Sequence, residues 1–177
     1  INFSVKSRDR IAIAGDNGSG KTTLLKAILG DPCIITSGEW SINVADMGYL
    51  DQHYATLSAD KTVLETIAVL QPSWSHIELR RHLIDFLFRS NAQVETLVAD
   101  LSGGEKARLS LAQIAARTPK LLILDEISNN LDLETRAHVI SILREYPAAI
   151  LVISHDKDLL KSIDIQQRHT VVEGSLE

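Results

Sequence analysis

Eight residues near the start of the chain, Gly15-Asp16-Asn17-Gly18-Ser19-Gly20-Lys21-Thr22, satisfy the spacing G-x-x-x-x-G-K-[ST] in full. Each residue type has a reason. Glycines at 15, 18 and 20 let the backbone wrap closely around phosphate oxygens. The N–H groups of a following helix point at those anions. Lys21 reaches β- and γ-phosphates, and Thr22 offers its hydroxyl to Mg²⁺. The flanks suit this chemistry. RIAIA (10–14) reads as a short buried strand before the loop, and TTLLKAIL reads as a helix after it, ended by Gly30-Asp31-Pro32.

A second group of acids ends another apolar run, LLILDE (121–126). A buried strand is a costly place to finish with two carboxylates. The cost is offset if Asp125 faces Mg²⁺, directly or through water, and Glu126 polarises an attacking water as general base. Two acids at a solvent-exposed strand end are the plain alternative, and the company of the Gly15–Thr22 loop weighs against it.

The elements that must position these residues alternate. Residues 2–6 alternate like a strand, and Gly38–Val44 and Met47–Leu50 read as short strands. Between Thr62 and Asn91 the period turns helical, in VLETIAVL and IELRRHLIDFLF, divided by Pro72-Ser73. EKARLSLAQIAAR is a helix ended by Thr118-Pro119. Strand LLILD, helix LDLETRAHVISILREY, strand AAILVIS and helix DKDLLKSI follow, and HTVVEGSLE reads as a terminal strand pair. All-apolar strands alternating with helices predict a mostly parallel sheet covered on both faces.

Composition bounds the rest. A chain of 177 residues with 45% apolar and 23% charged residues suits one α/β domain. The net charge of −5 argues against a broad basic footprint for nucleic acid. Cys33 is the only cysteine, so no intramolecular disulfide forms, and a reducing compartment such as the cytoplasm is the easy fit. No apolar run reaches the roughly 20 residues of a membrane span. The first residue is not Met, and the expectation is an excised domain of a longer chain.

Four further stretches carry a family resemblance. LSGGE (101–105) opens a helix and resembles the signature motif of ATP-binding cassette (ABC) ATPases, with Glu105 where many transporter domains have Gln. Ser102, Gly103 and Gly104 present a hydroxyl and N–H groups suited to an anion. Ser102 reads equally as a plain helix N-cap, and the two readings are compatible. His155, after AAILVIS, resembles the switch histidine whose ring reaches the γ-phosphate. Gln52, in GYLDQHY, resembles the glutamine that senses Mg²⁺ and the attacking water. NNLD (129–132) resembles the D-loop that crosses to the partner subunit. The order of these motifs resembles an ABC nucleotide-binding domain over nearly the whole chain.

That resemblance implies a P-loop NTPase core with a mostly parallel sheet, a small N-terminal antiparallel β part and an inserted α-helical lobe. It implies one domain over 1–177, with core 1–52 and 104–177 and a lobe over about 53–103. Glu126, His155 and Gln52 would be catalytic. Asp16, Asn17, Ser19 and Thr23 would join Gly15, Gly18, Gly20, Lys21, Thr22, Ser102, Gly103 and Gly104 in holding ATP. Thr22, Gln52 and Asp125 would hold Mg²⁺. Two ABC domains would pack head to tail with each ATP between one phosphate loop and the other signature loop.

Within the family the sequence looks most like the second ABC domain of an ABC-F protein, a group in which several members act on the ribosome. LSGGE, GYLDQHY, RRHLIDFLF and the DE…NNLD segment carry that likeness. Partners would be a second ABC domain, and ribosome or RNA reached through regions outside this segment. The alternative is the ATPase subunit of an ABC membrane transporter. Against the DEPTNHLD pattern of ABC-F proteins, Ile127, Ser128 and Asn130 replace Pro, Thr and His. Without the proline ring φ at 127 is not fixed, and the expected consequence is slow hydrolysis or a larger share of it in the neighbouring domain. An ATP clamp with little turnover is the non-enzymatic reading. The family's adenine-stacking aromatic is expected upstream of residue 1, with Phe3 in the core. A monomer is expected in isolation.

Overall fold

Three strands with hardly a polar residue have nowhere to go but the middle of a sheet. Strand β1 (Arg10–Ala14) lies between β4 (Ala149–Ile153) and β5 (Gln167–Val172), parallel to both. Strand β3 (Leu121–Asp125) runs parallel to β4 on its other side. With β2 (Met47–Leu50) and β6 (Ser175–Leu176) the order is β2-β3-β4-β1-β5-β6. The structure, a computed structural model, describes residues 3–37, 46–51, 53–127, 131–172 and 175–176. The fold is the α/β class expected of the strand–helix alternation, with a mostly parallel sheet and one antiparallel pair, β5–β6, at its end.

The chain divides into two compact units, one of residues 1–49, 119–126 and 143–177, the other of 50–118 and 127–142. In the first, helix α1 (Lys21–Ile28) packs Leu25 and Ile28 against Ile11, Ile13, Ile123, Leu151, Ile153 and Val171. Each such side chain, fully buried, contributes roughly 1.5–3 kcal/mol. The Gly30 stop works as read. Gly30 takes φ 73°, Asp31 N–H donates to Lys26 O and Gly30 N–H to Ala27 O, closing the helix in a left-handed turn. Arg10, nearly buried, donates to Tyr146 O and Ala148 O, both at 2.6 Å, and so ties β1 to the segment leading into β4. Helix α7 (Lys157–Ser162) is capped by Asp156.

Residues 3–6, read as strand, lie against this core with alternating burial but carry no ladder among the described residues. Phe3 and Val5 pack on the core cluster, and the Phe3 ring meets His169 edge-on at 5.3 Å. Phe3, expected in the core, is thus partly buried at its margin and held there by packing. Gly38–Val44 lie outside the described residues.

The second unit is helical: α2 (Val63–Ala68), α3 (His76–Asp85), α4 (Asn91–Glu95), α5 (Gly103–Arg117) and the first part of α6 (Leu133–Glu145). Thr62/Glu65, Ser75/Glu78, Ser90/Gln93 and Ser102/Glu105 each form a reciprocal capping box. The sequence pattern carried the helix through Phe88, but α3 stops at Asp85. Leu87 turns left-handed (φ 66°), Leu87 N–H bonds Ile84 O and Phe88 N–H bonds Leu83 O. A leucine is a costly residue for that turn. The turn drives Phe88 wholly into the core, under the Arg108 guanidinium at 5.5 Å.

His138 on α6 titrates below the ordinary histidine range, chiefly because burial disfavours its charged form, with Arg108 and Arg89 adding repulsion against a hydrogen bond to the Asp85 backbone. The unfolded chain therefore binds a proton that the folded chain refuses. This stability is present above the unfolded value of about 6.5 and is lost as pH falls below it. Urea unfolding followed from pH 7.5 to 5.5 is expected to show falling stability, with a shallower fall in His138→Gln.

Candidate functional site

The phosphate-loop residues sit where β1 ends and α1 begins. Ala14 closes the strand, and Gly15 (φ 149°), Gly18 (φ 83°) and Gly20 (φ 109°) take positive φ, a region that a side chain makes expensive. Gly15 is also a close approach. A Cβ there would stand 2.6 Å from Ser19 Oγ and 2.7 Å from the Val171 carbonyl of β5. Gly15→Ala is expected to cost about 2–4 kcal/mol, from strain plus overpacking. Chemical denaturation checks it, and loss of nucleotide binding should accompany it.

Gly20 is the N-cap of α1 and offers no side-chain acceptor, so the first-turn N–H groups are left to another acceptor. That is the condition for an anion at a helix start. Lys21 bends back across the loop, its Nζ donating to Gly15 O at 2.6 Å and Asp16 O at 2.9 Å. Those carbonyls hold the cation above the loop. Thr22 and Thr23 are exposed on the first turn, as are Asp16, Asn17 and Gly18 in the loop.

The acids arrive from β3, with β4 between it and β1, at the same end of the sheet. Asp125 ends β3 in register with Ile153, and Ile153 is in register with Ile13 of β1. Glu126 N–H continues the ladder to Ile153 O at 2.9 Å. At φ 51°, Glu126 sits in the left-handed region, a placement that costs of order 1–3 kcal/mol and persists where surroundings impose it. His155 leaves the end of β4, and its Nε2 lies 3.7 Å from Glu126 Oε1. Glu126, three-quarters buried, and His155, largely exposed, form a pair at the ends of β3 and β4. Loop, acids and histidine thus gather outside the carboxyl ends of β1, β3 and β4, where parallel α/β sheets bind ligands.

Sequence reasoning passed over Tyr49. Its hydroxyl donates to Asp125 Oδ2 at 3.2 Å. GYLDQHY carries the Gln52 and ABC-F resemblances, and nothing in its spacing announces this partner. Gln52 itself, and Ser128 to Asn130 of the D-loop stretch, lie outside the described residues.

The oxygen donors fit a hard dication: an exposed threonine hydroxyl at the start of α1 and a carboxylate at the end of β3. Among the described residues no group of three or more His, Cys, Asp or Glu side chains gathers around a metal position. Mg²⁺ characteristically takes one or two protein oxygens and completes its shell with phosphates and water.

In the second unit, Ser102 caps α5. Its oxygen accepts from Glu105 N–H at 3.3 Å and its hydroxyl donates to Glu105 Oε2 at 2.8 Å. Gly103 is exposed with open space at its Cβ position, while a Cβ on buried Gly104 would stand 3.1 Å from Asp132 Oδ2 and Thr135 Oγ1. Asp132 accepts from Thr135 N–H and hydroxyl, bonds that hold its carboxyl below the ordinary range. The plain N-cap is therefore present, with Gly103 exposed beside it.

Among the described residues no helix is long and apolar enough to cross a membrane. The family model described as ABC transporter matches residues 1–129. A protein of Haemophilus influenzae named Probable ATP-binding protein YheS is 36% identical over 163 residues, covering 92% of this chain and 25% of the relative. ATP-binding protein Uup of Buchnera aphidicola subsp. Acyrthosiphon pisum is 37% identical, covering 91% and 28%. Uup of Escherichia coli K12 is 38% identical, covering 86% and 24%. The chain thus spans about a quarter of the length of these relatives. Among solved structures, a dimeric ATP-binding cassette in a post-hydrolysis state bound to ADP and Pi superposes with TM-score 0.76 at 21% identity, covering all of this chain and 88% of the other. A metal-chelate type ABC transporter in an inward-facing conformation gives the same TM-score and identity, covering 74% of that chain. The fold matches throughout, and with the family match over residues 1–129 the chain belongs to the ATP-binding cassette family of ATPases.

Proposed function

We propose that this chain binds Mg-ATP on Gly15–Thr23 and hydrolyses it against a second ABC domain packed head to tail. The observation that carries the reading is the convergence of three strand ends: Lys21 over its loop, Asp125 and Glu126 after β3, and His155 3.7 Å from Glu126. Lys21 would exchange the Gly15 and Asp16 carbonyls for β- and γ-phosphate oxygens. Thr22 and Asp125, with Gln52, would hold Mg²⁺, which neutralises phosphate charge during transfer. Glu126 would orient and deprotonate the attacking water, and His155 would steady the γ-phosphate side. Ser102, Gly103 and Gly104 would close over the nucleotide of the partner domain. Contacts made only with the γ-phosphate give the paired state its differential affinity, so hydrolysis releases it. On this reading residues 1–177 form one ABC domain.

We place it in an ABC-F protein with two such domains that engages the ribosome from the cytoplasm, a reading that rests on the likeness of LSGGE, GYLDQHY and RRHLIDFLF to that group. The test uses the full-length parent protein with Glu126→Gln, which holds ATP uncleaved. ATP-dependent pelleting with ribosomes is expected. Recovery in a membrane fraction, with no ribosome association, would instead select the transporter subunit.

A further inference from the structure

The Tyr49 hydroxyl donates to Oδ2 of Asp125 at 3.2 Å, from a different strand of the same unit. Its ring is half-buried, packed on the edge of the cluster built around Ile11, Ile123 and Ile153. The strand that carries it is fastened to the start of β3. Lys120 N–H donates to Asp46 O at 2.8 Å, and Lys120 Nζ pairs with Asp46 Oδ2 at 2.9 Å. The hydroxyl is therefore held by packing below and by a pinned strand behind.

We propose that Tyr49 is a positioning residue that sets the Asp125 carboxylate for a divalent cation, which rests on the reading of Asp125 as the metal-facing acid. A free carboxylate rotates about its terminal torsion, a broad and roughly two-fold well. A donor on Oδ2 narrows that rotation. The bond is lost when the carboxylate swings away, so it favours one orientation at no cost at the moment of binding. Hydrogen-bonded partners of ligating carboxylates matter by roughly 10–100-fold in metal affinity. At 3.2 Å and half-buried, Tyr49 belongs at the lower end, roughly tenfold.

The test compares ATP affinity of the protein in excess Mg²⁺ and in excess EDTA, for the wild type, Tyr49→Phe and Asp125→Asn. The ratio of the two affinities reads the metal's share directly. Phenylalanine keeps the ring packing and removes only the oxygen. The expected result is a roughly tenfold smaller ratio in Tyr49→Phe, with affinity in EDTA and thermal midpoint unchanged. A fall in both affinities together would mean that Tyr49 only packs, and would overturn the inference. A ratio unchanged in Tyr49→Phe but reduced in Asp125→Asn would also overturn it, leaving the metal role of Asp125 standing. A ratio unchanged in Asp125→Asn as well would overturn the reading of Asp125 and the inference with it.

Discussion

Replacing Glu126 by glutamine is expected to slow ATP cleavage by about 10²–10⁴-fold while leaving ATP affinity within a factor of two or three, the share general-base catalysis ordinarily supplies. Glutamine keeps the shape and loses the basicity, so binding and fold should both persist. The backbone reinforces the assignment. A glutamate held at φ 51°, directly after a buried strand, is not where a merely solvated acid would settle. Its N–H is bonded to Ile153 O, so the side chain is aimed from a fixed base. Rapid quenching of a single turnover of preloaded ATP measures the chemical step without product release.

Lys21→Ala is expected to weaken ATP binding by roughly thirtyfold, about 2 kcal/mol. The estimate follows from exchange. A charge-assisted hydrogen bond contributes about 1.5–3 kcal/mol, and Lys21 forms new ones to phosphate only by leaving Gly15 O and Asp16 O. The net is the difference between anionic and neutral acceptors. Equilibrium titration in Mg²⁺ checks it, and the unliganded variant should lose little stability because the lysine is only partly buried.

Much of this site could be read directly. Glycines spaced at 15, 18 and 20 return as three positive-φ positions, and the apolar runs RIAIA, LLILD and AILVI return as three parallel strands side by side. Pattern and period were enough there because a single residue type has a single tolerable place. Helix starts were also written out, as T-V-L-E, S-H-I-E, S-N-A-Q and S-G-G-E, though only the last was used. Helix ends were harder. Leu87 carries a left-handed turn with no glycine to announce it, because burial of Phe88 outweighs the local penalty.

The Glu126 conformation was hidden for a similar reason. Ile127, almost wholly buried, occupies the position where ABC-F proteins have proline. A residue before proline is pushed toward extended backbone, and isoleucine lifts that restriction. The sequence change was plain, but the dihedral it permits was not. Tyr49 was missed because a hydroxyl's partner is set by strand order, which puts β2 beside β3, and sequence spacing does not announce that neighbour. Gln52, Asn129 and Asn130 keep their assignments as proposals.

The central claim is that this site cleaves ATP with Glu126 as the base. The most direct test is steady-state phosphate release at saturating Mg-ATP, measured side by side for the wild type and Glu126→Gln in the parent protein. If Glu126 is the base, phosphate release will depend on Mg²⁺ in the wild type and fall at least about a hundredfold in the variant, with matched ATP affinities. Equal release by the two proteins would contradict the claim and leave the chain an ATP-binding clamp.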